Sequence, residues 1–368
     1  MSYNVSLPQY SIGADCYNQI GYFARYYGNN AVVVGGKTAM AKSKDALLEG
    51  IKDSDVTISD FIWYGGDSTY ENGDALIANP TVQAADIIFG VGGGRACDTA
   101  KYVADKMDKP LFLFPTVASN CASVSSISVI YNTDGSFREY YYPKIAEHTF
   151  INTQVIAESP YEMTWAGIGD ALSKECEAEF SSRGENLSHT PLMGVQLSKI
   201  CTSPLLEYGK EALESAKEGK DSDALREVAL DIIVSTGIVS NMVTHLPEYY
   251  YNSSIAHCVY YGSEETEEGH NHRHGEIVSL GVLCLLTYDN QNEQRDRVMA
   301  FNYSVGLPVC FDDLGIKESE FEKMAEKAVI SNEWKFHSNQ VTVEKFIQCM
   351  KDQNAIGRAY KEKMAAQA

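Results

Sequence analysis

Short β-branched or aromatic runs that end in paired or tripled glycines, with helical patterns between them, confine the first third of this chain to parallel βαβ units. Ala31 to Val34 runs into Gly35-Gly36, Phe61 to Tyr64 into Gly65-Gly66, and Ile87 to Val91 into Gly92-Gly93-Gly94. A polar helix is expected from about Lys37 to Lys52. Leu111 to Phe114 followed by Pro115-Thr116 reads as the next strand and turn, and Ser126 to Tyr131 enters a hairpin at Asn132-Thr133-Asp134-Gly135. Strands closed by glycine bring backbone close to a ligand, as at the binding edge of a doubly wound sheet. This predicts an α/β domain over residues 1–157.

From Pro160 the periodicity becomes helical: Asp170 to Phe180, His189 to Ala216, Ser222 to Val243, Glu276 to Leu286, Glu318 to Val329 and Val343 to Met350. A polar break at Lys217 to Asp221 separates two of these helices, Leu307-Pro308 starts a connector, and Tyr360 to Ala368 reads as a polar tail expected to fray. A length of 368 residues suits two domains, so residues 158–368 are expected to form an all-helical second one.

Charge and cysteine usage narrow the function. With 50 acidic residues against 30 basic ones, the net charge of −20 is set against nucleic acid as a partner. No apolar run is long enough to span a membrane, and the opening MSYNVSLPQYSIGADC has neither a basic flank nor a signal-length apolar stretch. Nine cysteines, none in a C-x-x-C pair and most set in apolar sequence, read as reduced buried side chains. The expectation is a cytoplasmic protein acting on a small molecule.

Two constellations carry chemistry. Gly92-Gly93-Gly94-Arg95-Ala96-Cys97-Asp98 closes a strand and opens a helix, which aims backbone N–H groups and a helix N-terminus at a phosphate. It is neither the G-x-G-x-x-G fingerprint nor a P-loop. The second is Asp170 in GIGDAL, His257 in SIAHC and His274 in HRHGE. Two imidazoles and a carboxylate leave an open position on a divalent ion, as a catalytic metal requires. His270 and His272 compete with His274 for that role.

The stretches GGGRACDTAK (Gly92 to Lys101), PTVASNCASVSSISVIY (Pro115 to Tyr131), GIGDALSK (Gly167 to Lys174), AHCVYYG (Ala256 to Gly262) and HGEIVSLGVL (His274 to Leu283) resemble, in order and spacing, the iron-containing alcohol dehydrogenase superfamily in its glycerol dehydrogenase-like branch. The resemblance implies an N-terminal Rossmann-like parallel-sheet domain binding NAD(P) and a C-terminal all-helical domain, the dehydroquinate synthase-like architecture, with the metal and substrate in the cleft between. It implies cofactor contacts at Gly93, Gly94, Arg95, Ala96, Cys97 and Asp98, at Thr116 and Ser119, and at Ser125, Ile127 and Tyr131. Its metal ligands fall on Asp170, His257 and His274. A homo-oligomer is expected from the same resemblance.

Three departures from the family's pattern shape the reading. Cys121 stands where the glycerol dehydrogenases place an aspartate that holds the substrate diol, and it is a weak hydrogen-bonding group. Gly36 and Lys37 stand where NAD-preferring members place an acid for the ribose hydroxyls, which favours NADP(H) with Lys37 or Lys42 as phosphate partner; Lys37 as a plain solvent-facing residue is the alternative. Lys174 stands where the iron-dependent branch has a histidine, so three protein ligands and Zn²⁺ rather than Fe²⁺ are expected. Lys174 could also pair with the carboxylate of a 2-oxo acid, or simply with Glu177 or Glu179 as a surface lysine. These features look closest to the hydroxycarboxylate dehydrogenase group. The expected activity is metal-dependent, NAD(P)-linked interconversion of a small 2-oxo acid or short carbonyl compound and its alcohol. Cys121 and Lys174 would bind the substrate, and His270 is a candidate proton donor beside Lys174. The alternatives are a glycerol or polyol dehydrogenase, and at greater distance a dehydroquinate synthase-like lyase or a non-enzymatic relative.

Overall fold

A computed structural model describes residues 4–337 and 340–367. Its strands are Tyr10–Ile12 (β1), Asn30–Gly35 (β2), Thr57–Trp63 (β3), Ile87–Gly92 (β4), Leu111–Pro115 (β5), Ser128–Tyr131 (β6), Phe137–Tyr141 (β7) and His148–Ile151 (β8), with a two-residue antiparallel pair, Thr244–His245 and Tyr249–Tyr250, interrupting the otherwise helical second half. Six of them form one parallel sheet in the order β1-β8-β5-β4-β2-β3, while β6 and β7 pair antiparallel as a hairpin. The expected strands are all present. Within the six-stranded sheet the two unexpected strands, β1 and β8, pair with each other at one end through Tyr10↔Thr149 to Ile12↔Ile151.

The chain leaves β2 outward to β3 and then returns to the other side of β2 for β4, so strand order reverses between β2 and β4. In open α/β sheets that reversal opens a crevice at the carboxyl ends of the two strands. Gly35 lies opposite Val91 there, and both glycine turns open at this point.

Successive residues of the strands face opposite sides, and both sides are covered. Ala31, Val33, Phe89, Phe112, Phe114 and Phe150 enter one apolar cluster; Val32, Val34, Ile88, Leu111 and Leu113 enter the other. Two-sided burial explains the unbroken apolar runs in the sequence. Each phenylalanine removed from water contributes about 1.5–3 kcal/mol.

The chain divides into two compact units. One holds residues up to Thr164 together with Glu211–Asn241, and the other holds Trp165–Lys210 and the residues from Met242 onward. The sequence predicts one continuous first domain to residue 157, whereas the helical segment Glu211–Asn241 groups with the sheet.

The helices used below are Lys37–Ile51 (α1), Gly94–Met107 (α2), Tyr161–Ala171 (α3), Ser173–Ser181 (α4), Ile255–Ser263 (α5), His274–Tyr288 (α6) and Val343–Ala365 (α7). Within the second unit, α6 is apolar all round and buries every residue from Ile277 to Leu286, the signature of a central core helix. Three expectations are corrected. Asp170 to Phe180 is two helices, and Asp170 sits in the last turn of α3 instead of at a helix start. His189 to Ala216 is also two, His189–Ser198 and Ser203–Lys217. The last helix extends from Val343 to Ala365, well past Met350. Among the described residues no helix is long and apolar enough to cross a membrane. All nine cysteines are free, and only Cys121 is not buried.

Candidate active site

The position of Asp170 follows from two glycines. A side chain on Gly169 would collide with the Gly275 carbonyl, and one on Gly275 with the Ala166 carbonyl, so α3 and the start of α6 touch backbone to backbone. That contact brings His274, the first residue of α6, against the last turn of α3: His274 Nε2 lies 3.1 Å from Asp170 Oδ1. His257, in the first turn of α5, approaches the same oxygen at 3.7 Å through Nε2. One potential ligand atom from each of the three residues lies within 4.8 Å of the others.

Glu177, which sequence reading considered only as a partner for Lys174, fixes this geometry. Its side chain on α4 is fully buried, and it accepts from Ser254 N at 2.6 Å, His257 N at 3.1 Å and His257 Nδ1 at 2.7 Å. A carboxylate on Nδ1 fixes the tautomer and turns Nε2 toward the site, as second partners of metal-bound imidazoles do. Burial opposes the charge on His257, yet Glu177 and then Asp170 raise its imidazolium to about 9. Burial likewise works to raise the Asp170 carboxyl, but His274, then His257 and Lys174, hold it below the usual carboxylate range. The result is a nitrogen, nitrogen, oxygen donor set in which a divalent cation would take the place of protons on the imidazoles.

The competing histidines separate cleanly. His272 Nδ1 meets Glu276 Oε1 at 2.9 Å and its Nε2 meets the Leu314 carbonyl at 3.0 Å, so both ring nitrogens are used. His270 is exposed in the turn Gly269–Asn271 and is not a member of the three-residue cluster. Lys174 is buried, and its ammonium is held by Asn252 Oδ1 at 2.8 Å and the Asn252 carbonyl at 3.3 Å. Of the acids named from sequence, Glu177 holds His257 and Glu179 pairs with Lys199 at 3.5 Å.

In the first unit, β4 ends at Gly92, whose φ of +150° is a conformation that side-chain-bearing residues rarely adopt. Gly93 caps α2 without a side-chain hydrogen bond. The first amides of α2 at Gly94, Arg95 and Ala96 therefore open at the sheet's switch point, where an anion is stabilised. Thr116 follows β5 and donates its amide to the Gly92 carbonyl at 3.1 Å, and Ser119 lies half-buried in the same turn. Arg95 is exposed, stacks 4.7 Å over the Tyr131 ring and pairs with Asp67 at 3.3 Å.

Cys97 and Asp98 face inward instead. Cys97 is 1% exposed; Asp98 Oδ1 meets Lys101 Nζ at 2.9 Å and Oδ2 accepts from Val129 N at 3.1 Å. Lys101 Nζ also donates to the carbonyls of Ser125 and Ile127, so this buried pair pins the segment from Ser125 to Val129 against α2. Asn241, another residue absent from the sequence reading, pins the same segment: its Oδ1 accepts from Ser126 N at 2.8 Å and its amide donates to the Val124 carbonyl at 3.1 Å. Cys121 Sγ lies 3.9 Å from Ser240 Oγ. Gly36 and Lys37 sit at the end of β2 and the first position of α1, and Lys42 is exposed on α1.

The model of the family described as iron-containing alcohol dehydrogenase matches residues 8–151. A glycerol dehydrogenase of Escherichia coli O6:H1 is 31% identical, covering 86% of this chain and 85% of its own length. A glycerol dehydrogenase of Thermotoga maritima is 32% identical over 73% of this chain and 74% of its own. Among solved structures, a probable glycerol dehydrogenase from Sinorhizobium meliloti 1021 superposes with a TM-score of 0.81 at 25% identity, covering 98% of this chain and all of the other.

Proposed function

The chain belongs to the iron-containing alcohol dehydrogenase superfamily, in its glycerol dehydrogenase-like branch, and on that premise we propose that this alcohol-type oxidoreductase interconverts a small polyol or hydroxy-carbonyl compound and its oxidised partner at Asp170, His257 and His274. The observation that carries the reading is the convergence of those three side chains with His257 already turned by Glu177.

The donor set fits a divalent ion, and we favour Zn²⁺ over Fe²⁺. When bound, such an ion supplies a Lewis acid and a nicotinamide dinucleotide supplies the hydride chemistry. The chain supplies position. Asp170, His257 and His274 would hold the ion, and Glu177 keeps the His257 ring from rotating. The amides of Gly94, Arg95 and Ala96 would receive the pyrophosphate, and Thr116 and Ser119 would line the second cofactor turn. Gly36 and Lys37, with no acid after β2, favour NADP(H).

A second reading, reduction of a small 2-oxo acid, is favoured by Lys174. A buried ammonium whose charge already acts on Asp170 would pair with a substrate carboxylate. Nicotinamide-linked initial rates with dihydroxyacetone, glycolaldehyde and 2-oxobutyrate, with and without a chelator, test both. The first reading requires chelator-sensitive turnover of the polyol-type compounds. Turnover confined to 2-oxobutyrate and lost in Lys174→Ala would replace it with the second, and turnover with none of them removes both.

A further inference from the structure

The three-residue cluster and Lys174 both depend on a segment with no regular structure of its own. Residues 251–254 join the two-residue strand pair to α5. From this segment Asn252 holds Lys174 through its Oδ1 and its carbonyl, and the Ser254 amide donates to Glu177, which in turn holds His257. A stretch without a backbone ladder takes its place from the side chains packed against it.

A buried acid outside the cluster supplies that hold. Glu333 lies in the short helix Asn332–Phe336 and is 2% exposed. Its carboxylate accepts from Tyr250 Oη at 3.1 Å and from Ser253 Oγ at 3.2 Å, both at Oε1, and the two hydroxyls are themselves 2.6 Å apart. A carboxyl group taken out of water costs stability unless hydrogen bonds offset it. Here those bonds come from the two residues that bracket Tyr251-Asn252. The neighbours of Glu333 grip the same stretch. Phe336 stacks on the Tyr250 ring with centroids 5.1 Å apart, and His337 Nε2 donates to the Ser253 carbonyl at 3.1 Å.

We propose that Glu333 is a positioning residue for the active site: by holding Tyr250 and Ser253 it sets the segment from which Asn252 reaches Lys174 and Ser254 reaches Glu177. One acid thereby governs two groups at once, the Glu177 support of His257 and the Asn252 clamp on Lys174. Its effect on zinc rests on the metal reading above; its effect on Lys174 does not.

The test compares Glu333→Leu, Glu333→Gln and Trp334→Leu in the full chain. Trp334, the next residue of the same helix, packs edge-on against Phe346 of α7 with centroids 5.3 Å apart, so Trp334→Leu weakens the helix without removing the acceptor. Zinc affinity is read by competition with a chromogenic chelator. The clamp is read as the rate at which Lys174 is acetylated relative to exposed Lys220, by peptide mass spectrometry of the metal-free chain. Glu333→Leu is expected to weaken zinc about tenfold, the lower end of the range for outer partners of metal-bound imidazoles. It should also raise the Lys174 to Lys220 ratio about fivefold, the equivalent of one lost hydrogen bond. Glu333→Gln, which keeps an accepting oxygen, should stay close to wild type in both, and Trp334→Leu should lose stability in urea with neither quantity changed. Circular dichroism reports whether each variant is folded; if Glu333→Leu is not, Tyr250→Phe combined with Ser253→Ala removes the same two hydroxyls and should give the same two shifts. A shift in only one of the two quantities, equal shifts in Trp334→Leu, or a Glu333→Gln that behaves as Glu333→Leu overturns the positioning role. A wild type that binds no zinc removes the metal reading alone, and the Lys174 ratio then decides.

Discussion

The Glu177 carboxylate holds His257 at two places, the ring Nδ1 at 2.7 Å and the backbone N–H at 3.1 Å, from a side chain with no exposure of its own. Opposite charges in mutual contact outweigh the burial that opposes each of them, so the Glu177 carboxyl is lowered while the His257 imidazolium is raised. The pair therefore fixes which ring nitrogen faces Asp170. Replacing Glu177 by Gln keeps the shape but removes the charge and the firm preference for an Nδ1 proton. Zinc affinity, read by competition with a chromogenic chelator, is expected to fall about 10- to 100-fold in Glu177→Gln. An unchanged affinity would show that His257 needs no help to face the cluster.

Gly275 should be the most sensitive position in the second unit that bears no functional group. A methyl group there must push α6 away from the Ala166 carbonyl and the Asp170 amide. Overpacking of this kind costs about 1–3 kcal/mol, and here it also displaces His274 from Asp170. Gly275→Ala is expected to lower the unfolding free energy by that amount in urea and to weaken zinc binding together with it. Stability lost with metal affinity kept would mean the cluster does not depend on this contact.

The strands that meet their neighbours on both faces were legible because two-sided burial leaves unbroken apolar runs, and glycine marks their ends. Two strands were not: the edge strand Tyr10-Ser11-Ile12 is three residues long, and its inner neighbour His148-Thr149-Phe150-Ile151 mixes polar and apolar side chains that long-range pairing alone buries. Asp170 was legible as a candidate ligand but misplaced, since Gly167 and Gly169 look like a helix entrance but lie inside α3, where Gly169 meets the start of α6. Glu177 carried a usable signal, seven residues and so two helical turns after Asp170, but its charge alone read as solvent-facing. Asn241 carried none, because its partner Ser126 is distant in sequence.

Asp98 and Lys101 form a buried ion pair that also satisfies the backbone from Ser125 to Val129. Removing one partner strands the other charge, at a cost of about 3–5 kcal/mol. Asp98→Ala is therefore expected to lose about that much stability, whereas the double change Asp98→Asn with Lys101→Met should recover part of it. If the double variant is no more stable than Asp98→Ala in denaturant titrations, the hydrogen bonds that Lys101 gives to the Ser125 and Ile127 carbonyls outweigh the relief of a stranded ammonium.

His148 gives the protein a pH dependence of predictable sign. It is 2% exposed, stacks on Phe23 with ring centroids 3.7 Å apart and meets Ser11 Oγ through Nε2 at 2.9 Å. Burial lowers its pKa from the ordinary 6.5 to about 4. As pH falls, the unfolded chain binds this proton first, so stability is full above pH 6.5 and is lost on the way down to about 4. The loss is about 2 kcal/mol by pH 5 and about 3 kcal/mol at the lower end. His337, also buried and held below its usual range, adds in the same direction. The carboxylates held low by their partners, such as Asp170 and Glu177, bind protons only at lower pH, and His257, held high, contributes fully throughout this window. Urea unfolding of the metal-free chain at pH 7, 6 and 5 should show the decline, and His148→Gln, which keeps a partner for Ser11, should flatten most of it. A wild-type stability that does not change between pH 7 and 5, or a variant with the same slope, would place the proton-sensitive group elsewhere.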